Sequence, residues 1–328
     1  MAPESLRPTG PSGPSTHARP VGALTEGLRM AALKWHLLIN TLTRSTWILV
    51  GTIFGALYTL FIVGSFGTGL FMVGNESLEV VRTVAVFFGT LLLLGWWVVP
   101  VVSSKADSSL DPSRLALFPM RIAGIQIGQI LGAVIGIPGV ASILITIAWV
   151  TSWRASGIAL IFAIPCALLG LLLAFTGSRA VTALSANFNK QRRAGEIISI
   201  VLLGLVVLLG PLIAMIGQGI ERVWEQLPTW AEYLAWSPLG AVWTIPADVA
   251  EGQWVAALAR LAIGLATLVV LVVVWRAALR RALSDATADA ARSSSKSVSG
   301  VGLFGRLPAT GWGAVMARCL TYWFKDPR

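Results

Sequence analysis

The feature that most constrains this chain is a series of uncharged, apolar segments, each long enough to cross a lipid bilayer. A helix rises about 1.5 Å per residue, so about 20 apolar residues match a hydrocarbon core roughly 30 Å thick. Hydrophobic residues make up 55% of the sequence and charged residues only 12%, whereas soluble domains carry about 25% charged residues. The sequence therefore predicts an all-α integral membrane protein. We place six spans at Ser45–Asn75, Thr83–Val102, Ile122–Trp153, Ala155–Ser178, Ile197–Ile220 and Trp254–Trp275.

Two of these segments are less regular than the rest. Ile122–Trp153 is long enough to cross with a tilt or a break, and Arg260 interrupts Trp254–Trp275. The uncharged run between Arg260 and Arg276 covers about 22 Å, which is less than the hydrocarbon core of roughly 30 Å. We therefore expect the side chains of the two arginines to extend to opposite interfaces. A helix that lies in the interface is the alternative interpretation of this last segment.

The basic residues predict the orientation, because cytoplasmic loops accumulate lysine and arginine. With the N-terminus and C-terminus in the cytoplasm, all but four of the 25 lysines and arginines are on or near that side. The exceptions are Arg82, Arg154, Arg222 and Arg260. The net charge of +10 then faces the anionic headgroups of the inner leaflet. It indicates a cell-membrane location and no nucleic-acid partner.

The N-terminal residues divide into a tail and a helix. Residues 1–22 are rich in Pro, Ser and Gly, which predicts a disordered cytoplasmic tail, and they lack the apolar stretch of a signal peptide. Leu24–Arg44 has an apolar stripe at helical spacing, which predicts an amphipathic helix along the inner leaflet. The alternative is a cytoplasmic extension of the first span.

A short helix is predicted between the second and third spans. Asp111 is suited to be its N-cap, Pro112 to its first position, and Pro119 ends it after about two turns. The alternative is a simple turn.

Glycines recur every fourth residue at the start of the third span, at Gly124, Gly128, Gly132 and Gly136. This pattern lets a second helix approach closely. Packing within one subunit is the favoured use, and a subunit interface or a moving substrate wall are the alternatives. Pro138 predicts a kink directly after the glycines.

The connection between the fifth and sixth spans is rich in tryptophan and proline. Residues 218–253 predict one or two short helices that lie on the outer leaflet or re-enter it. A folded outer loop without membrane contact is the alternative.

The remaining domain boundaries follow from composition. Residues 23–281 form the predicted membrane domain and 282–311 a cytoplasmic linker. Residues 312–328 resemble the basic and aromatic stretch Leu33–Trp47 that precedes the first span. We therefore expect them to begin a second six-helix half, and we expect this chain to be a fragment, or the product of a truncated gene, of a protein with two such halves.

Motifs for catalysis, cofactor binding and metal binding are missing from the sequence. It has no P-loop lysine, no HExxH and no GxSxG, so no such residues are assigned. Cys166 and Cys319 suit neither a disulfide nor a metal framework. The predicted spans also lack buried acidic residues, which weakens a proton- or sodium-coupled carrier.

The order of these elements resembles the permeases of type-2 ATP-binding-cassette exporters. The phrases LDPSRLALFPM (110–120), WSPLGAVWTIPADVAEG (236–252) and YWFKDPR (322–328) are similar to those of large fused permeases from high-GC Gram-positive bacteria. The resemblance covers about residues 24–328.

The resemblance implies a division of labour between this chain and a partner. Leu24–Arg44 would be the interface helix. Residues 111–118 would form the coupling helix that docks on a separate ATPase, with Asp111, Pro112, Ser113, Arg114, Leu115, Leu117 and Phe118 as the candidate residues. That partner would hold ATP and Mg, and an unidentified substrate would pass between this half and a second half or copy. A membrane scaffold or assembly factor is the competing hypothesis, followed by a secondary transporter.

Overall fold

The computed structural model describes residues 22–102, 120–188, 226–295 and 310–325. Every regular element within these ranges is a helix, which confirms the predicted all-α class. The helices are α1 (Ala23–Arg44), α2 (Thr46–Val73), α3 (Leu78–Val102), α4 (Ile122–Val134), α5 (Ile137–Thr151), α6 (Gly157–Phe188), α7 (226–235), α8 (Ala241–Ala250), α9 (Trp254–Ser295) and α10 (Gly311–Lys325).

Four of these helices, α2, α3, α6 and α9, are long and apolar enough to cross a membrane. The pair α4 and α5 passes the same test if it counts as one bent span. These five segments correspond to the first, second, fourth, sixth and third predicted spans. The predicted fifth span, Ile197–Ile220, lies outside the described residues, as do the predicted tail and the predicted coupling helix at 111–118.

The third predicted span is broken rather than tilted. The axes of α4 and α5 differ by 75°. The break lies at Ile135 and Gly136, and Gly136 has a φ of +143°, a conformation that residues with a Cβ rarely adopt. Pro138 follows in the first turn of α5, where its missing N–H costs no helical hydrogen bond. The chain therefore changes direction just before the proline.

Helix α9 is longer than the sequence analysis predicted. It continues as one helix to Ser295, so the first part of the expected linker, 282–295, is helical. Alanine recurs throughout this part of the chain and has the highest helix propensity. The composition that we interpreted as a linker is thus equally suited to a polar helical extension.

Two compact units make up the described residues. The larger contains α1 to α8 and the part of α9 that ends at Arg280. The smaller contains the chain from Arg281, including α10. Within the smaller unit, α10 buries Gly313 and Ala317 and exposes Trp312 and Trp323.

Helix α8 lies at the centre of the larger unit. It packs against α3 and α6, and Gly264 of α9 lies against its Val242. The main hydrophobic core includes Trp149, Trp153 and Trp243, all almost fully buried. The core is therefore built around a short helix that belongs to the connection before α9.

Helix α1 lies against α4 at another part of the larger unit. It buries only Gly27 and Met30. Its apolar stripe remains exposed, including Leu24, Leu28 and Trp35. An amphipathic helix with an uncovered apolar face is suited to the surface of a bilayer.

Candidate functional site

The candidate site is the buried helix α8 together with the charged side chains at its C-terminal end. Residues Ala241–Val249 are all buried, although the helix has only 10 residues and is far too short to cross a bilayer. The sequence analysis predicted short helices in this region. The structure adds that one of them is inserted between long apolar helices.

Trp243 anchors α8 in an aromatic cluster. Its ring makes edge-on contacts with Trp149, at 5.0 Å between centroids, and with Phe88, at 5.9 Å. Edge-to-face pairs of this kind add stability beyond the area they bury. The tryptophan is thus fixed from α5 and α3 at the same time.

Two glycines make room for this ring. A Cβ on Gly89 of α3 would overlap the indole, and a Cβ on Gly170 of α6 would lie 2.5 Å from it. Real Cβ atoms do not approach other atoms so closely. Gly89 and Gly170 therefore form the walls of a slot for Trp243.

A charge cluster lies at the other end of α8, and it joins four elements of the larger unit. Asp248 of α8 accepts hydrogen bonds from Arg82 of α3, at 3.1 Å, and from Arg260 of α9. Arg260 also donates to Glu232 of α7 at 2.5 Å. Arg82 donates to Glu251, just after α8, at 2.8 Å.

The cluster is buried at its centre and open at its edge. Asp248 is 0% exposed and Arg260 is 2% exposed, whereas the side chains of Glu232 and Glu251 are 47% and 29% exposed. Burial raises the pKa of the Asp248 carboxyl, and the hydrogen bond and charge of Arg260, followed by the charge of Arg82, act in the opposite direction. The two arginines thus act against the unfavourable effect of removing the Asp248 carboxylate from water.

An aromatic ring completes the surroundings of Arg260. The guanidinium lies over the ring of Trp236, 4.6 Å from its centroid, which is a cation–π contact. The indole N–H of Trp236 donates to Glu232 at 3.0 Å. Trp236 and Glu232 therefore contact Arg260 in addition to Asp248.

The sequence predicts that Arg260 reaches a membrane interface, and the structure shows that its side chain is almost fully buried against other parts of the protein. The arginine points into the larger unit, because Asp248 and Glu232 supply partners there. Asp248 belongs to the connection 218–253, which the sequence predicts on the outer side, and its burial is not predicted by the sequence. The predicted spans lack acidic residues at their centres, and the buried acid comes instead from the inserted helix.

The predicted packing glycines of α4 meet α1. A Cβ on Gly128 would lie 2.7 Å from the Cβ of Met30, and one on Gly27 would lie 3.1 Å from the backbone nitrogen of Gly128. Gly124 lies against Glu26. Gly132 is buried in the same helix, and Gly136 forms the break. The glycine face thus includes a close helix contact within this chain.

Glu26 adds a polar link to the same contact. Its carboxylate accepts the backbone N–H of Arg121 at 3.1 Å, and Arg121 is the N-cap residue of α4. A negative charge at a helix N-terminus is favourable. Helix α1 is therefore joined to the start of α4, three residues after the end of the predicted coupling helix.

Comparison with known proteins gives no further assignment: no protein-family model matches this chain, and neither a curated protein nor a solved structure matches it.

Proposed function

We propose that this chain is the permease subunit of an ATP-driven exporter in the cell membrane, with six spans and both termini in the cytoplasm. A separate ABC ATPase would bind ATP and Mg and would dock on residues 111–118. An unidentified substrate would pass between this chain and a second half or a second copy.

The observation that carries the proposal is the junction of α1 with the start of α4. An exporter must transmit a movement of its ATPase to its spans, and this requires a stiff connection. Gly27 and Gly128 bring the two helices into close contact, and Glu26 bonds the N-cap of α4. A force applied at 111–118 would therefore reach α1 and α4 together.

Two further observations fit this function. The break between α4 and α5 gives the third span a point at which its two parts can change their angle. The inserted helix α8 fills the space between α3, α6 and α9, where it would close a path from the outer side. A scaffold that only anchors other proteins needs neither feature.

The test is co-purification with the P-loop ATPase that the neighbouring gene is expected to encode. Replacing Asp111→Gly and Pro112→Gly removes the N-cap and the first helical position of the predicted coupling helix. We expect at least a fivefold loss of co-purified ATPase with unchanged membrane insertion. The matched control, Ser108→Gly with Ser109→Gly, changes the same loop outside the helix and should retain the partner.

Two outcomes would count against the proposal. Equal recovery of the ATPase with both double variants would remove the coupling role of 111–118. Recovery of no ATPase with the unmodified chain would favour a membrane scaffold.

A further inference from the structure

Each arginine of the charge cluster has one buried partner and one exposed partner. Arg82 contacts the buried Asp248 at 3.1 Å and the partly exposed Glu251 at 2.8 Å. Arg260 contacts Asp248 and the half-exposed Glu232, the latter at 2.5 Å. Asp248 is the acid that both arginines share. Glu232 belongs to α7 and can keep Arg260 paired when Asp248 leaves the cluster, whereas Glu251 directly follows α8 and moves with it.

The hydrogen bonding at the centre of the cluster is incomplete. Among the described residues, Asp248 Oδ2 and the Nε atoms of Arg82 and Arg260 are buried without a hydrogen-bond partner. A buried ionic network with unpaired atoms stabilises a fold less than apolar packing of the same volume would. These charges therefore add less to the attachment of α8 than apolar side chains of the same volume would.

The rest of α8 is held by contacts that can be broken without unpairing a hydrogen bond. Trp243 occupies its slot through ring contacts, and its indole N–H has no partner among the described residues. The turn that follows the helix contains Gly252, with a φ of +74°. Asp248 is thus the buried polar attachment of α8, and Glu251, just after the helix, adds a more exposed one to Arg82.

We infer that Asp248 is the latch of a movable outer gate: its bonds to Arg82 and Arg260 hold α8 between the spans, and their loss lets α8 withdraw. The inference rests on the proposed function, since a gate needs a path to close. In the latched state α8 blocks the space between α3, α6 and α9. In the released state Arg260 remains paired with Glu232, so the movement does not strand a buried cation.

The latch can be tested on this chain alone, without a substrate or an ATPase. Val242 is almost fully buried in α8, so a thiol introduced by Val242→Cys reports whether α8 is seated. The labelling rate of that thiol with a maleimide is measured by mass spectrometry of the peptide, which separates it from Cys166 and Cys319. Asp248→Asn removes the charge of the latch while it keeps the shape of the side chain.

We expect Asp248→Asn to accelerate labelling at position 242 at least tenfold. Glu79→Gln is the matched control, because Glu79 is an exposed acid in the first turn of α3, and it should change the rate less than twofold. An unchanged rate with Asp248→Asn in a folded protein would overturn the inference.

A disulfide shows whether the variant is folded. The Cβ of Val242 lies 3.9 Å from a Cβ built on Gly264 of α9, which is within the range of about 3.5–4.5 Å for a disulfide. The pair Val242→Cys and Gly264→Cys should therefore cross-link on oxidation. Complete cross-linking in the Asp248→Asn variant shows that α8 still reaches its native position beside α9. If the Asp248→Asn variant fails this control, Arg82→Gln replaces it, because this substitution removes one partner of Asp248. We expect Arg82→Gln to accelerate labelling at position 242 at least threefold. An unchanged labelling rate in the Arg82→Gln variant also overturns the inference.

The labelling experiment and the co-purification experiment fail separately. If Asp248→Asn does not change the labelling rate while the ATPase still co-purifies, the latch is refuted and the proposed permease function still stands. If Asp248→Asn accelerates labelling but no ATPase co-purifies with the unmodified chain, α8 is movable and the exporter function is refuted.

Discussion

Two close helix contacts among the described residues are made in opposite ways. Helix α1 meets α4 where side chains are missing, with Gly27 against Gly128. Helix α8 meets its neighbours through the largest side chain available, Trp243, and through buried charges at Asp248. The first contact consists of glycines packed against a neighbouring helix, with a polar link from Glu26 to the start of α4. The second contains unpaired polar atoms.

The difference indicates two different tasks. In a membrane, helices associate through close packing and interhelical hydrogen bonds, because lipid is as apolar as the side chains. Helices that pack closely through glycines fit together in one arrangement. Such a contact suits two helices that move as a unit. In a charged cluster with an additional acid, an arginine can remain paired when one acid leaves. Such a contact suits a helix that changes its position. We therefore expect α1 and α4 to stay together and α8 to be released.

The largest expected effect concerns the slot of α8. Trp243→Ala leaves a cavity between two glycines that cannot fill it, and we expect the free energy of unfolding in detergent to fall by about 3–5 kcal/mol. Trp230→Ala is the control, because Trp230 is 60% exposed. Similar losses for both variants, measured by thermal unfolding, would show that α8 is not the centre of the packing.

The next effect concerns the buried charges. Arg260→Met leaves Asp248 with only Arg82, and we expect a loss of about 3 kcal/mol, since removing one partner of a buried pair strands the other. Arg29→Met, at an exposed position on α1, should change stability little. A neutral Arg260→Met variant in the same unfolding assay would mean that the cluster is solvated.

A smaller effect is expected at the glycine contact. Gly128→Leu forces a side chain into Met30, so α1 must shift, and overpacking of this kind costs about 2 kcal/mol. Gly64→Leu on α2 is the matched control, because nothing lies within 4 Å of a Cβ there. If both leucines lowered the midpoint of unfolding equally, the close approach of α1 and α4 would not matter.

The smallest effect is expected at Glu26. Glu26→Ala removes the acceptor of the Arg121 N–H, which should cost about 1 kcal/mol. Glu26→Gln keeps an acceptor and loses the charge, so it should retain about half of that stability. Equal losses in chemical unfolding would show that the charge alone matters.

These contacts differ in how far the sequence predicted them. The spacing of Gly124 and Gly128 predicted a close helix contact, because a repeat of four residues places glycines on one helical face. The long apolar segments likewise predicted most of the described helices that are long and apolar enough to cross a membrane. Both signals are local and periodic, so they can be found without the fold.

The charge cluster has no such signal. Arg82, Glu232, Asp248 and Arg260 come from four elements, and 166 positions separate Arg82 from Asp248. No spacing rule connects them, and an acid in a tryptophan-rich connection is consistent with an exposed loop. A sequence-based clue was available only in Arg260 itself, since an arginine within an apolar segment requires either an interface or a partner.

The central claim is that the junction of α1 with α4 and the cluster at Asp248 lie on opposite sides of the membrane. Arg29→Cys on α1 and Gln253→Cys beside the cluster place thiols at exposed positions, and a membrane-impermeant maleimide reports which side each one faces. We predict that intact cells label position 253 at once and position 29 only after permeabilisation. Labelling of both positions from outside, or of position 29 alone, would contradict the account.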